Sequence, residues 1–363
     1  MVDLIPPVAK KGRGAVSNRS GRFEAQSRHA IDDGWQWGVP NDPTPLRTTV
    51  TPEYPKTVIA KNSSPDIPFD RSLNPYKGCE HGCVYCYARP SHAYLGFSPG
   101  LDFESQLVSK PAAAAILEGQ LRQPGYQCQL IQLGANTDPY QPIERKQLIT
   151  RQVLQVFERF NHPFGIITKS DLVLRDLDIL APMAAKNMAS VAVSITTLDR
   201  DLARRLEPRA PTPMKRLEAV RKLSEAGIPT TVMIAPVIPA LTDHELERII
   251  EAAALAGASS AVYILLRLPL EIEGLFEEWL ETHAPLKRDH VLSLLRQSHG
   301  GRTYRATWQQ RMTGSGPYAE MIGRRYRLAI KKFGLQDKRA AERQLDCSLF
   351  QPPPQTGDQL SLL

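Results

Sequence analysis

The chain has 363 residues, 42% of them hydrophobic, with a formal net charge of +7. This length suits one large barrel with extensions or two ordinary domains, and the composition is that of a globular protein. No run reaches the about 20 apolar residues of a membrane-spanning helix, no basic-then-apolar leader opens the sequence, and five cysteines make a poor disulfide framework, so the expected setting is the reducing cytoplasm, without a membrane partner.

Residues 1–69 read as an irregular basic arm. Lys10, Lys11, Arg13, Arg19, Arg22 and Arg28 lie there among Gly, Ser and Asn, with no apolar periodicity. Trp35 and Trp37 are expected to dock part of the arm on the body. From about residue 70 short β-rich runs alternate with helical ones. Strands are expected at Ser72–Tyr76, Cys128–Gly134, Phe164–Thr168, Ser190–Ile195, Thr230–Ile234 and Ala261–Arg267. Helices are expected at Glu104–Leu121, Glu144–Phe160, Asp171–Ala185, Met214–Ala226 and Thr242–Ala256. Thr242 to Glu245 has the pattern of an N-capping box, and Gly227 and Gly257 mark helix ends.

Six apolar strands alternating with helices imply an α/β fold with a parallel sheet buried on both faces. Six units rather than eight predict a partial (β/α)6 TIM-like barrel over residues 70–283. Chemistry in such barrels sits at the C-terminal ends of the strands. Residues 284–348 read as a basic helical extension, with fourteen Lys/Arg against four Asp/Glu between 284 and 345. Its arginines are interleaved with Tyr304, Trp308, Tyr318 and Tyr326, which makes nucleic acid a candidate partner, against the plainer reading of a solvated face closing the barrel's open side. Residues 349–363, rich in Pro and Gln, read as a disordered tail.

The segment from Asn74 to Tyr87 carries Cys79, Cys83 and Cys86 at Cys-x3-Cys-x2-Cys spacing. Thiolates are soft ligands that select iron–sulfur clusters or zinc. Three cysteines would hold three irons of a cubane and leave the fourth open for a small ligand. Two other readings stand beside this one. The first is a zinc site completed by His81 or Cys347, although zinc modules usually bring a second paired knuckle. The second is three unrelated buried thiols.

With Gly78, Gly82 and the run Tyr87-Ala88-Arg89 around it, the motif resembles that of the radical S-adenosylmethionine (SAM) superfamily. The flanks resemble its spore photoproduct lyase-like branch, also labelled DNA-repair-photolyase-like, over about residues 70 to 270. The resemblance implies a 4Fe–4S cluster whose open iron binds the amino and carboxylate groups of SAM. It implies reductive cleavage to methionine and a 5′-deoxyadenosyl radical, with electrons from a flavodoxin- or ferredoxin-like donor. The substrate is left open.

SAM requires a cation, hydroxyl or amide groups and an apolar slot. By the same resemblance Lys169 on the third strand and Ser194 on the fourth contact its methionyl part, Thr137 faces it from the second strand, and Tyr85 lies beside the adenine. Asn136, Asp138 and Arg209 complete the candidate SAM-binding set. Glu207 and Arg209 read as an ion pair or a substrate contact. Photoproduct lyases carry a hydrogen-donating cysteine near the end of the second strand, where this sequence has Ala135. Cys128 lies seven residues earlier and reads as a buried core thiol. The competing function is a non-catalytic iron–sulfur or zinc protein that binds nucleic acid.

Overall fold

The computed structural model describes residues 9–24, 46–337 and 345–354. Arg28, Trp35, Trp37 and the tail beyond 354 lie outside the described residues. Two short strands, β1 (Thr49–Pro52) and β2 (Ile59–Lys61), occupy the arm that the composition marked as irregular. The barrel opens with β3 (Arg71–Leu73) and β4 (Tyr76–Lys77). The helix expected over Glu104–Leu121 divides into α1 (Asp102–Ser105), β5 (Gln106–Ser109) and α2 (Ala113–Leu121). Pro111 is the reason: it pushes Lys110 out of the helical region, so the chain runs extended before the helix restarts.

Next come β6 (Ile131–Leu133), α3 (Glu144–Gln147), α4 (Ile149–Arg159) and β7 (Phe164–Thr168). They are followed by α5 (Leu177–Ala185), β8 (Ala189–Ser194), α6 (Arg200–Leu206) and α7 (Pro213–Glu225). The barrel ends with β9 (Thr230–Val237), α8 (Leu246–Leu255) and β10 (Ser260–Leu265). Gly227 and Gly257 close α7 and α8 at φ +74° and +88°. Behind them the amides of Ile228 and Ala258 donate to the carbonyls of Leu223 and Ala253, 3.0 Å each. The capping box at Thr242 does not form. Its hydroxyl accepts from the Ile238 amide at 2.9 Å, and Glu245 instead accepts from the Leu198 amide at 3.2 Å.

Strands β3, β6, β7, β8, β9 and β10 pair in that order, all parallel. These are the six expected strands. The sheet stays open, with β2 antiparallel on one edge and β11 (Gln336–Asp337) parallel on the other. A second sheet joins β1, β5 and β4. Helix α4 shows the general packing: Val153, Leu154, Val156 and Phe157 face the sheet, buried with Phe164 and Ile166 of β7.

After β10, α9 (Ile272–His283) ends the barrel segment, and the basic extension contains α10 (Arg288–Ser298) and α11 (Pro317–Lys332). Helix α11 covers the β10 edge, where the Tyr326 hydroxyl donates to the Ala261 carbonyl at 2.8 Å. Arg325 pairs with Glu247 at 2.6 Å, Arg311 pairs with Asp66, and Tyr318 donates to Asp243 at 2.7 Å. Much of the Arg–aromatic pattern is therefore consumed in packing. Residues 349–354 are not the disordered start of a tail. Phe350 packs against Tyr126, Phe160 and His162, and the Gln351 amide donates to the Phe160 carbonyl at 3.0 Å. Among the described residues no helix is long and apolar enough to cross a membrane.

The arm is an integral part of the body where it meets the cysteine loop. Arg13, Ala15 and Val16 are buried, and a Cβ built on Gly14 would fall 1.8 Å from the Gly82 carbonyl oxygen. Backbone meets backbone there, so no side chain can swing away. Gly14→Ala is expected to lower stability by about 1–3 kcal/mol through overpacking, read as a lower midpoint in thermal or urea unfolding. An unchanged midpoint would show that this contact is dispensable.

A candidate cluster and cofactor site at the strand ends

The cysteine loop follows β4. Gly82 turns it at φ +69°, a conformation a Cβ would strain. The Cys79 amide donates to the Phe103 carbonyl at 2.9 Å, and the Val84 amide to Leu206 at 3.1 Å. The main clamp is Arg89, which is fully buried. It donates to the carbonyls of Cys83 (2.9 Å), Gly82 (3.2 Å), Pro99 (3.0 Å) and Gly100 (2.9 Å). Its remaining reach goes to the buried carboxylate of Glu104 at 2.5 Å. Glu104 also accepts the amides of Gly14 and Ala15 at 2.9 and 2.8 Å. From the other side Gln141 accepts the Glu80 amide at 2.9 Å and donates to the Gly78 carbonyl at 3.2 Å.

Cys79 and Cys83 are buried and Cys86 is half-buried. Burial pushes all three thiols up. Asp138 and the other two cysteines add to the rise at Cys79, and Glu207 adds to it at Cys83. Three thiolates in so dry a loop require a cationic centre to be stable. Among the described residues no three His, Cys, Asp or Glu side chains converge on a single metal ion. A donor set of soft thiols spread along one loop fits a polynuclear iron–sulfur cluster, in which each thiolate takes its own iron. Cys347 is not a fourth ligand: its thiol hydrogen-bonds with that of Cys128, ahead of the N-terminal end of β6. His81 is also engaged elsewhere, with Nδ1 3.3 Å from Asp138.

Beside the loop, the ends of β7 and β8 meet in a buried polar network. Lys169 follows β7, and its Nζ donates to Ser194 (2.8 Å), Thr196 (3.2 Å) and the Ala235 carbonyl (3.3 Å). It also lies 3.1 Å from Glu207 and 5.6 Å from the centre of the Tyr85 ring. Glu207 is the hub. It accepts from the Tyr85 hydroxyl, from Thr196 at 2.7 Å and from Arg216 of α7. Burial raises its carboxyl, but Arg216 and Lys169 overcome that and hold it well below the usual range. The same burial, with the Glu207 charge, pushes the Tyr85 phenol well up, so it stays a hydroxyl donor.

Lys169, Ser194 and Tyr85 are thus brought together. The others sit around them. Asp138 accepts from Thr168 (2.7 Å), the Lys169 amide (2.7 Å) and the Tyr140 amide (2.9 Å). Burial opposes its ionisation, but His81 and these donors lower its carboxyl. The Thr137 hydroxyl donates to the Tyr76 carbonyl at 2.8 Å, and the amides of Asn136 and Thr137 donate to Asn74 at 3.0 and 3.3 Å. Arg209 does not pair with Glu207. It pairs with Glu80 at 2.9 Å, and Glu207 takes Arg216, because α7 folds its first turn back over the end of β8. The Arg216 Nη1 donates to the Ser194 carbonyl at 3.1 Å. The second-strand position of Ala135 offers a carbonyl, which accepts from the Tyr87 hydroxyl. Sequence reasoning did not single out Glu104, Gln141, Thr196 or Arg216, and Arg89 entered only as part of a motif.

Comparisons with known proteins agree with this architecture. A family model described as the Radical SAM superfamily matches residues 73–253. Uncharacterised proteins of Mycobacterium bovis and Mycobacterium tuberculosis are 39% identical over 221 residues, which is 60% of this chain and 65% of theirs. The chain therefore matches just under two thirds of the length of these curated relatives. An uncharacterised protein of Methanocaldococcus jannaschii is 31% identical over 48% of this chain and 62% of its own. Spore photoproduct lyase complexed with dinucleoside spore photoproduct superposes with a TM-score of 0.56, at 17% identity, over 80% of this chain and 81% of that one. At that identity the likeness is one of fold. The family match covers the cysteine loop and the whole of four of the six parallel strands, β6 to β9, and the chain belongs to the radical SAM superfamily.

Proposed function

We propose that this chain is a radical SAM enzyme that reductively cleaves SAM and abstracts hydrogen from a substrate held at the C-terminal ends of the strands. The observation that carries the reading is the loop from Cys79 to Cys86, with its three thiols buried beside the strand ends and its backbone clamped by Arg89. Cys79, Cys83 and Cys86 would hold the 4Fe–4S cluster. Lys169 and Ser194 would meet the methionyl part of SAM, with Tyr85, Asn136, Thr137, Asp138 and Arg209 around it. When bound, the pair supplies a 5′-deoxyadenosyl radical.

The chain's own residues do the rest. Lys169 and Arg216 bring two positive charges against the one of Glu207, so the network keeps a net charge of +1 to receive a carboxylate. Glu207 and Thr196 fix the Tyr85 hydroxyl, and with it the ring plane. His81 and the Lys169 amide fix Asp138 in turn. The electron donor is a flavodoxin- or ferredoxin-like protein of the cytoplasm. Nucleic acid as a partner rests on the exposed Arg296, Arg302, Arg305, Arg324 and Arg327, since Arg311 and Arg325 are spent on packing.

Protein purified without oxygen is expected to be brown, to hold about four irons per chain and to release 5′-deoxyadenosine from SAM under reduction. Changing any one of Cys79, Cys83 or Cys86 to Ala removes both properties. Stoichiometric zinc without iron, or iron without SAM cleavage, would return the reading to a binding protein.

Lys169→Ala is expected to keep its iron and weaken SAM binding by about ten- to a hundredfold, the worth of a charge-assisted hydrogen bond. Equilibrium dialysis reads this directly, and wild-type affinity would place Lys169 outside the SAM site. Arg89→Ala removes no ligand, yet it strands the buried Glu104 charge. The expected loss is about 3–5 kcal/mol of stability, together with poor iron loading; a variant that melts and loads like the wild type would show that the loop holds its own shape.

A further inference from the structure

One cation at the mouth of the barrel has no use in the reading above. Arg267 stands two residues beyond β10, at the C-terminal end of the last parallel strand. Its guanidinium lies 4.6 Å from the centre of the Tyr87 ring, the residue that follows Cys86. The Tyr87 hydroxyl donates to Ala135 beyond β6, so the ring is tethered between strand ends and gives the guanidinium a fixed face to rest on. Arg267 is half-buried, yet among the described residues its guanidinium has neither a hydrogen bond nor an ion pair.

That isolation is unusual here. Arg13 and Arg89 are satisfied by carbonyls and Glu104, Arg216 by Glu207, Arg209 by Glu80 and Arg311 by Asp66. A guanidinium drawn out of water without a counter-charge carries an uncompensated desolvation cost. Arg267 is ready to recover it from an incoming anion. The next residue, Leu268, lines a cleft of about 320 Å³ with Glu273, Arg296, Arg302, Thr303 and Tyr304, and Tyr304 also lies near enough to Arg267 to act on its charge. Arg296 and Arg302 are exposed and unpaired among the described residues. One guanidinium fork satisfies a carboxylate. The Arg267 guanidinium and the two unpaired guanidiniums of the adjoining cleft, against Glu273 as the one acid of its lining, match a group with up to two charges and three acceptor oxygens.

We propose that Arg267 anchors a phosphate group of the substrate at the mouth of the barrel, with Tyr87 fixing the guanidinium plane and Arg296 and Arg302 adding charge at the rim. The substrate role of that phosphate rests on the radical SAM reading; the phosphate site itself needs neither cluster nor SAM. The phosphate belongs to a nucleic-acid backbone or to a phosphorylated small molecule, and two probes separate these sources.

The test uses the full chain at low salt, with fluorescein-labelled single-stranded dT10 read by anisotropy and glycerol 3-phosphate and acetate as competitors. Phosphate binding is expected, and Arg267→Gln should weaken it by at least about tenfold. Arg267→Lys, which keeps the charge and loses the fork, should fall between. Iron content and SAM affinity should stay at wild-type values in both. An Arg267-dependent loss for dT10 without competition by glycerol 3-phosphate assigns the nucleic-acid source. Competition by glycerol 3-phosphate that disappears in Arg267→Gln assigns the small-molecule source. The proposal is overturned if neither probe binds, if Arg267→Gln binds both as the wild type does, or if acetate competes as well as phosphate. Loss of SAM affinity with phosphate binding intact would also overturn it, by moving Arg267 into the SAM pocket. If SAM is never cleaved but phosphate binding still depends on Arg267, the radical SAM reading fails and the phosphate site stands.

Discussion

The Arg89–Glu104 pair is the constraint on which the cysteine loop depends. Both side chains are fully buried, and a buried ion pair repays its desolvation only when its remaining donors and acceptors are filled. Here Arg89 reaches four carbonyls of the loop and its flank, and Glu104 takes two amides of the N-terminal arm. The loop has no regular secondary structure to dictate its path. Its path is set by where a fixed guanidinium fork can find carbonyl oxygens. Arm, loop and α1 are therefore one unit, and the cysteines inherit their positions from a charge pair that touches none of their thiols.

A second buried charge organises the neighbouring strand ends. Glu207 gathers Tyr85 from the cysteine loop, Thr196 from beyond β8, Lys169 from beyond β7 and Arg216 from α7. Each partner comes from a different segment, so the carboxylate fixes their relative placement more firmly than any one backbone element could. A single acid between two cations also keeps the network positive without leaving either cation bare. That balance suits a site that receives an anionic group close to thiolates.

The six parallel strands were legible because each is a short run, mostly apolar, set off from the segment before it by Gly, Asn or Asp, a local signal. The cysteine spacing was legible for the same reason. What failed was non-local. Residues 104–121 look helical by composition, and only Pro111 hints at the strand that interrupts them. Arg209 is two residues from Glu207 and reads as its partner, yet Arg216 is nearer in space because α7 turns back over β8. Thr242 has a capping pattern, but tertiary contacts claim its hydroxyl and Glu245 first. Cys347 could be weighed as a metal ligand from sequence, although its thiol meets Cys128 through a C-terminal segment that docks behind the barrel. Separations of this length leave no trace in periodicity.

The open sheet explains why the inner and outer parts of the site are built differently. Beyond β3 and β10 the sheet continues only into the short strands β2 and β11 and does not close. Among the described residues no backbone ladder joins the two ends. The inner charges, Arg89 on the cysteine loop and Arg216 on Glu207, are buried and multiply bonded, and so costly to disturb. At the mouth the link is the stacking of Arg267 on Tyr87, whose ring is partly exposed, and such a contact contributes only about 0.5–1 kcal/mol. The rigid part lies where a cluster and its ligand must be held to a fixed geometry. The lighter part lies where the barrel has a gap, and there a guanidinium held only by its face keeps its in-plane donors open.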